Sequence, residues 1–182
     1  PIFYYVNIGD SASYSGSGTN ANNISGTAIG ATAIANGPVY TADGAGSYFT
    51  FDGSNDVAYT PTMLSLFNSP VNNSVTLEAW VRTSSDNGVV VSEQGTSPIN
   101  IGWHDSQIEI VSGSLKMAVW TAVGYSTAIT VGAVTRNQWQ QYVLTFNSST
   151  STLTGYINGG ALSASTSSIT RASPQSTGQP QL

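Results

Sequence analysis

Short apolar–polar alternation, broken at close intervals by turn-forming residues, is the feature that most constrains this chain. The clearest run spans residues 74–82. Its apolar residues fall at every second position and are Val75, Leu77, Ala79 and Val81. The positions between them carry Thr76, Glu78, Trp80 and Arg82. Because successive side chains of a strand point to opposite faces, this run predicts a β-strand with one apolar face.

Three further runs predict hairpins. Residues 139–146 lead through a polar turn at 147–151 into residues 153–157. The pair Asn158-Gly159 then favours a two-residue turn, because both residues tolerate positive φ, so that residues 161–164 run back along the preceding strand. Residues 107–111 and 115–120, joined at 112–114, form another predicted hairpin. Helical signals are nearly absent, and strands at this spacing favour a two-sheet antiparallel sandwich.

The N-terminal segment differs from the rest of the chain in composition and pattern. Residues 1–46 are rich in Gly, Ala, Ser and Asn and show little regular alternation, so they are interpreted as an irregular lead-in. A disordered linker is the alternative on composition. The segment also carries aromatic residues able to anchor it to a sheet, namely Tyr4, Tyr5, Tyr14 and Tyr40.

Composition excludes several classes of protein. Of the 182 residues, 7% are charged and 40% hydrophobic, a balance that supports a folded core. The net charge is −5, and the four cations form no basic stripe, so we expect no nucleic-acid partner. No apolar stretch approaches the ~20 residues that a membrane-spanning helix needs, so we expect no membrane partner. Without cysteine, neither disulfides nor thiolate metal sites can form.

Four segments, in order, carry a resemblance to a known family. Residues 47–56 (Ser-Tyr-Phe-Thr-Phe-Asp-Gly-Ser-Asn-Asp) resemble the opening Phe-Asp-Gly strand of laminin-G-like, concanavalin-A-like domains. Residues 75–81 resemble that family's Glu-Ala-Trp strand, and residues 137–146 resemble its tryptophan-led strand. Residues 154–159 are similar to its Asn-Gly hairpin. The resemblance implies an all-β jelly roll over residues 47–182, following the lead-in of residues 1–46.

Two details of the resemblance bear on context. Residues 9–19 and 37–40 resemble the lead-in of such domains in large bacteriophage structural proteins. This resemblance implies a virion surface location within a homo-oligomeric assembly, beside other virion subunits. The family also closes with strands that have no counterpart before Leu182, so the domain is expected to lack its C-terminal closing strands.

Catalysis is the first rival function, because some related domains hydrolyse glucans. Glycosidases place two carboxyl groups ~5–10 Å apart. Asp105 and Glu109 share a strand parity, but four extended residues separate them by about 13 Å. His104, the only histidine, has Asp105 beside it on the opposite face of a strand, so no Ser-His-Asp arrangement is indicated. We therefore expect a protein that is not an enzyme.

Carbohydrate binding is the favoured activity. An aromatic side chain near a loop can stack on the apolar face of a sugar ring. The candidate residues are Trp103, His104, Asp105, Trp120 and Tyr125. Two other tryptophans, Trp80 and Trp139, are expected in the core, in keeping with the burial preference of large aromatics and with the resemblance.

The segment after the opening strand is interpreted in one of two ways, of which the first is a calcium site. Asp52, Asn55 and Asp56 supply hard oxygen ligands of the type that Ca²⁺ takes. Turn formation explains the same residues, because Asp and Asn cap tight turns with their own side chains.

The sequence thus leaves three hypotheses. The first is a virion-surface module that adheres to host or environmental glycans or to a cell-surface receptor. The second is a capsid-decoration or cementing domain that binds no sugar. The third is an extracellular or cell-surface bacterial adhesin. An exposed aromatic cluster beside loop carboxylates would favour the first, and one extended apolar flank the second.

Overall fold

A computed structural model of the chain describes residues 4–5, 20–21, 25–26, 32–35, 37–43, 46–59, 74–94, 104–121, 124–125, 128–160 and 164–169. Side chains are described for residues 37–42, 46–58, 74–92, 106–119, 128–160 and 164–169. Every regular element in these ranges is a β-strand, so the all-β prediction is confirmed. Within the same ranges no helix has the length and apolar character needed to cross a bilayer.

The chain divides into two compact units. The first comprises Pro1–Met63 with Gln181–Leu182. Its strands are β1 (Tyr4–Tyr5), β2 (Asn20–Ala21), β3 (Ser25–Gly26), β4 (Thr32–Ala35), β5 (Val39–Asp43), β6 (Gly46–Thr50) and β7 (Val57–Tyr59). They pair as β1-β3, β2-β4-β7 and β5-β6. The β5–β6 pair crosses the expected boundary between residues 46 and 47; that boundary stays a prediction.

The second unit, Leu64–Pro180, contains the sandwich. Its strands are β8 (Val75–Val81), β9 (Gly88–Gln94), β10 (His104–Val111), β11 (Ser114–Met117), β12 (Trp120–Thr121), β13 (Gly124–Tyr125), β14 (Ile129–Ala133), β15 (Gln140–Asn147), β16 (Thr152–Ile157) and β17 (Ala164–Thr166). One four-stranded sheet has the order β14-β11-β10-β9, here the first sheet. The second sheet has the order β17-β16-β15-β8, and β12 pairs with β13. All of these pairings are antiparallel.

The core lies between these two sheets. The first sheet and the chain leading out of it contribute Ile108, Ile110, Leu115, Met117, Val119, Ile129 and Val131. The second sheet and the segment after it contribute Tyr142, Leu144, Phe146, Leu153 and Ile169. The apolar face of β8 packs against this cluster through Val75, Leu77 and Val81. Period-two alternation therefore builds the sandwich, because each strand gives one face to a shared interior.

The expected hairpins are present, but one of their turns differs from its prediction. Ser112 and Gly113 have φ of 50° and 73°, and they connect β10 to β11 as a two-residue turn. Asn158 and Gly159 also have positive φ, of 55° and 61°. The predicted return along β16 is present from residue 164, whereas residues 161–163 lie outside the described ranges. The register pairs Ala164 with Gly155, whereas a two-residue turn at 158–159 would pair it with Leu153, so the prediction of a two-residue hairpin was wrong.

A polar loop cluster joins three connections at one end of the sandwich. The backbone carbonyl of Asp86 accepts a hydrogen bond from Gly113 N, and that of Thr83 accepts one from Asn137 N. The side chain of Asn87 accepts another from Ser112 N. Arg136 donates through Nε and a terminal nitrogen to both carboxylate oxygens of Asp86. These contacts fix the β8–β9 and β14–β15 connections against the β10–β11 turn.

Candidate functional site

The outward side of β8 presents a large exposed aromatic residue. Alternation turns Val75, Leu77 and Val81 toward the core, which leaves Trp80 on the opposite side of the strand. Trp80 is 61% exposed. Because burial of an indole is strongly favourable, an exposed tryptophan in a regular strand marks a surface able to contact another molecule.

A hydrogen-bonded polar pair lies beside this tryptophan. In the β8–β15 register, Gln141 is directly opposite Trp80. The Nε2 atom of Gln141 donates to Oε1 of Glu78 over 2.6 Å. Glu78 stands two residues before Trp80 on the same face of β8, at a separation of about 7 Å along the strand. An aromatic surface and a carboxylate–amide pair thus lie next to one another.

The β16–β17 turn holds Gln141 in place. Asn158 accepts a hydrogen bond from the backbone N of Gln141 through its Oδ1, over 2.9 Å. The backbone N of Asn158 in turn donates to the Gln141 carbonyl oxygen over 2.8 Å. Gln141 is therefore bracketed by Trp80 on one side and by the Asn158 turn on the other, which restrains the backbone that carries its side chain.

A second exposed tryptophan continues the same surface. Trp139, just before β15, is 43% exposed, and the Arg82 guanidinium carbon lies over its ring at 5.6 Å from the centroid. This distance suits a cation–π contact. Trp139 comes two residues before Gln141, and Arg82 two residues after Trp80. We name this surface the Trp80 face; its residues are Glu78, Trp80, Arg82, Trp139 and Gln141.

The exposure of the two tryptophans corrects a sequence expectation. Trp80 and Trp139 were predicted to lie in the core, and that prediction was wrong. The reason is strand parity. In β8 the even positions face away from the sandwich interior, and in β15 the core positions begin at Gln140, one residue after Trp139. The period-two pattern already placed Trp80 with Thr76 and Glu78, and this signal outweighs the average preference of tryptophan for burial.

The sugar-binding residues predicted from sequence lie elsewhere. The backbone register of the β12–β13 pair places Trp120 opposite Tyr125, so the fold brings these two positions together. His104 and Asp105 begin β10, in the first sheet. Trp103 lies outside the described residues, and for the other four only the backbone is described. Their role in sugar binding stays a prediction.

The β10–β9 register places two acidic residues at opposed backbone positions, an arrangement that alternation along a single strand does not show. Asp105 is directly opposite Glu93, and His104 is opposite Gln94. The register also shifts after Ser106 and again after Ile108, which interrupts the alternation assumed between Asp105 and Glu109. Opposed residues of an antiparallel pair have Cβ atoms about 5 Å apart, so cross-strand pairing is the arrangement to examine for catalysis.

The proposed calcium residues form a self-capped turn. Asp52 accepts hydrogen bonds through Oδ1 from Ser54 N at 2.8 Å and Asn55 N at 3.3 Å. Asp56 Oδ2 accepts one from Asp52 N at 2.8 Å. The bond from Ser54 N is the main cause that holds the pKa of Asp52 below its usual 3.8. Within the described ranges no three His, Cys, Asp or Glu side chains gather as metal ligands. The carboxylates thus have a structural role, and calcium binding stays a prediction.

The two packed four-stranded sheets define a class of fold, the antiparallel β-sandwich. Residues 51–182 match the Laminin_G_3 family model, described as the Concanavalin A-like lectin/glucanases superfamily, and the chain belongs to this family. Such a domain is compatible with carbohydrate binding. The comparison with curated proteins gives no significant match.

Proposed function

We propose that this protein is a non-catalytic carbohydrate-binding module and that the Trp80 face is its sugar-binding surface. The observation that carries the proposal is the 61% exposure of Trp80 beside the Glu78–Gln141 hydrogen bond. A sugar ring has an apolar face of C–H groups and a rim of hydroxyl groups. An indole packs against the first, and a carboxylate with an amide hydrogen-bonds the second.

The position of the face supports binding without hydrolysis. The Trp80 face lies on the second sheet, whereas the Asp105–Glu93 pair lies in the first sheet, and the core separates the two sheets. A sugar stacked on Trp80 therefore does not reach this carboxylate pair. Within the Trp80 face the only carboxylate is Glu78, and glycoside hydrolysis commonly needs two.

The setting that we propose is the surface of a bacteriophage particle. The lead-in resemblance at residues 9–19 and 37–40 supports it. There the domain adheres to host or environmental glycans, as part of a homo-oligomeric assembly with other virion subunits. Mass spectrometry of purified particles tests this setting. Recovery of the chain from washed bacterial cell surfaces, and not from particles, would instead favour the bacterial adhesin.

A decoration domain is the second candidate, and exposed apolar residues on the first unit favour it. Val39 in β5 and Phe51 just after β6 are both exposed. The ring of Phe51 lies 6.4 Å from that of Phe49, which lies 5.3 Å from Tyr40. Because Val39 is opposite Thr50 and Tyr40 is opposite Phe49, Val39 lies on the other face of the β5–β6 pair from these three rings. Exposed apolar side chains of this kind suit contact with a neighbouring subunit. Loss of particle stability on replacing both exposed residues with serine, with no loss of glycan binding, would support this role.

A glycan array tests the main proposal directly. The unmodified chain should bind a subset of glycans, and Trp80→Ala should lose that binding. Val89→Ala is a matched control, because Val89 is 59% exposed and belongs to β9 of the first sheet. Equal binding by the Trp80→Ala variant would remove the Trp80 face from the proposal, and a blank array with folded protein would remove carbohydrate binding.

The same array hits serve to test for catalysis. Each bound oligosaccharide is incubated with the chain and assayed for new reducing ends. We expect none, and we expect Asp105→Asn and Glu93→Gln to bind as the unmodified chain does. Reducing-end release that either substitution abolishes would show that the cross-strand carboxylate pair is a hydrolytic centre and that the protein is an enzyme.

A further inference from the structure

The chemistry of the Trp80 face also selects among sugars, and the inference that follows rests on the proposed function. We propose that the face takes a neutral pyranose, stacked on the Trp80 indole, with two neighbouring hydroxyl groups bound by Glu78 and Gln141. Acidic sugars such as sialic acids and uronic acids are excluded. Asn158 is a positioning residue for this site.

The Glu78–Gln141 pair supplies the hydrogen-bonding atoms of the face on the Glu78 side of Trp80. Gln141 Nε2 donates to Glu78 Oε1, which leaves the second carboxylate oxygen of Glu78 and the amide oxygen of Gln141 as acceptors, while the amide retains a second N–H. Sugar hydroxyls can both donate and accept. A vicinal pair of hydroxyls can therefore donate to the carboxylate oxygen and accept from the amide N–H, as planar carboxylate and amide groups allow.

Charge favours a neutral ligand. A ligand carboxylate hydrogen-bonded beside Glu78 would place two like charges in contact, which is strongly unfavourable where water is excluded. The cation of the face, Arg82, lies over Trp139, on the side of Trp80 away from Glu78 along β8. The chain as a whole carries a net charge of −5, which opposes the approach of polyanionic glycans.

The turn at Asn158 completes the site. Its side chain accepts from Gln141 N, and its own N donates to Gln141 O, so both backbone groups of Gln141 are held by one residue. Because Asn158 reaches Gln141 through the backbone, replacing it disturbs the orientation of the amide without removing any group that touches the sugar. Asp at position 158 keeps a side-chain oxygen acceptor, whereas Ala removes it.

The test uses the full chain on an array that pairs neutral glucose-, galactose- and mannose-containing oligosaccharides with their sialylated and uronate-containing counterparts. We expect binding to the neutral members alone. Binding that requires an acidic sugar, and that Trp80→Ala abolishes, would overturn the neutral-sugar inference and leave the proposed function intact. A blank array would overturn both.

Titration calorimetry of the best neutral ligand then tests the individual roles. Glu78→Ala should weaken Kd by about tenfold or more, since a hydrogen bond to a charged group contributes about one decade of affinity or more. Trp80→Ala should weaken Kd by about the same factor, because it removes the apolar surface on which the sugar ring stacks. Asn158→Ala should weaken Kd by a smaller factor, and Asn158→Asp should restore it.

Unchanged Kd in Glu78→Ala would overturn the pairing with hydroxyls, and equal loss in Asn158→Ala and Asn158→Asp would overturn the positioning role. Circular dichroism confirms that each variant is folded, and Val89→Ala again serves as the control.

Discussion

At the scale of single residues, Gly155 shows how closely the two sheets approach. A Cβ atom built at this position would lie 2.5 Å from Cγ2 of Val131 and 2.8 Å from Sδ of Met117. The methionine is flexible, but the χ1 angle of a β-branched valine is restricted, so Val131 cannot move aside freely. The absence of a side chain at Gly155 is therefore a packing requirement of the sandwich.

The glycine gives a prediction about stability. Gly155→Ala should lower the free energy of unfolding by about 1–3 kcal/mol, the usual cost of overpacking a core. Gly88→Ala is the control, because a Cβ at Gly88 meets no atom within 4 Å. Urea denaturation measures both variants. Equal stability of the two would contradict the close approach at Val131, and Val131→Ala should recover part of the loss in the Gly155→Ala background.

The buried phenol of Tyr142 makes the free energy of unfolding depend on pH in the alkaline range. Its hydroxyl donates to Gln140 Oε1 at 3.2 Å, and burial raises the pKa of Tyr142 above its ordinary 10.0. Above pH 10 the unfolded chain loses this proton before the folded chain does, so the free energy of unfolding falls as pH rises. Below pH 10 the phenol is neutral in both states and the stability contribution is fully present.

The substitution Tyr142→Phe removes the hydroxyl and so separates its titration from that of the other ionisable groups. Tyr142→Phe should retain near-neutral stability within about 1 kcal/mol, because Gln140 Oε1 still accepts from Thr135 N. Its thermal midpoint should fall less steeply between neutral pH and pH ~11 than that of the unmodified chain. Parallel profiles of thermal midpoint against pH for the two proteins would show that ionisation of Tyr142 does not cause the loss of stability at alkaline pH.

At the scale of elements, the Asp86–Arg136 ion pair connects two loops of the polar cluster but stays at the surface. The two side chains are 42% and 53% exposed, so water and salt screen their attraction. Asp86→Ala should cost about 0–1 kcal/mol of unfolding free energy at low salt and less at 1 M salt, while the Asp86 backbone bond to Gly113 remains. Denaturant midpoints at both salt concentrations check this, and a salt-independent loss above about 2 kcal/mol would contradict a screened surface pair.

Strands and turns were the part of the fold that the sequence predicts best. The alternation at 75–81 and the positive-φ pair at 158–159 depend on local chemistry, and the structure has both. Strand register depends on which strands become neighbours, and this is set by long-range packing. The carboxylate pairing of Asp105 with Glu93 is therefore outside the reach of a pattern read along one strand.

Sequence alone likewise predicts one part of the candidate site, and the other part depends on long-range packing. The parity of β8 places Glu78 and Trp80 together from sequence alone. Gln141 joins them only through the β8–β15 register, and Asn158 only through the turn beside β15. The exposure of Trp80 also depends on which side of β8 packs against the core. The average preference of tryptophan for burial predicts a buried Trp80 instead.

At the scale of the whole molecule, low charge shapes the expected binding behaviour. With 7% charged residues and a net charge of −5, the chain offers little long-range attraction to an ionic ligand. A neutral pyranose held by stacking and hydrogen bonds should show a Kd that changes less than about twofold between 50 mM and 500 mM salt. A steep loss of affinity with salt in calorimetric titrations would instead indicate an ionic contact through a cation such as Arg82.

The central claim concerns where the sugar binds, and the four tryptophans make that question measurable. Each indole N–H gives its own signal in an ¹⁵N-resolved NMR spectrum, and single Trp→Phe variants assign the four signals. On titration with a neutral oligosaccharide from the array, the Trp80 signal should shift most, with a smaller change at Trp139. Shifts confined to Trp103 and Trp120, with Trp80 unmoved, would place the sugar at the loop residues and contradict the Trp80 face.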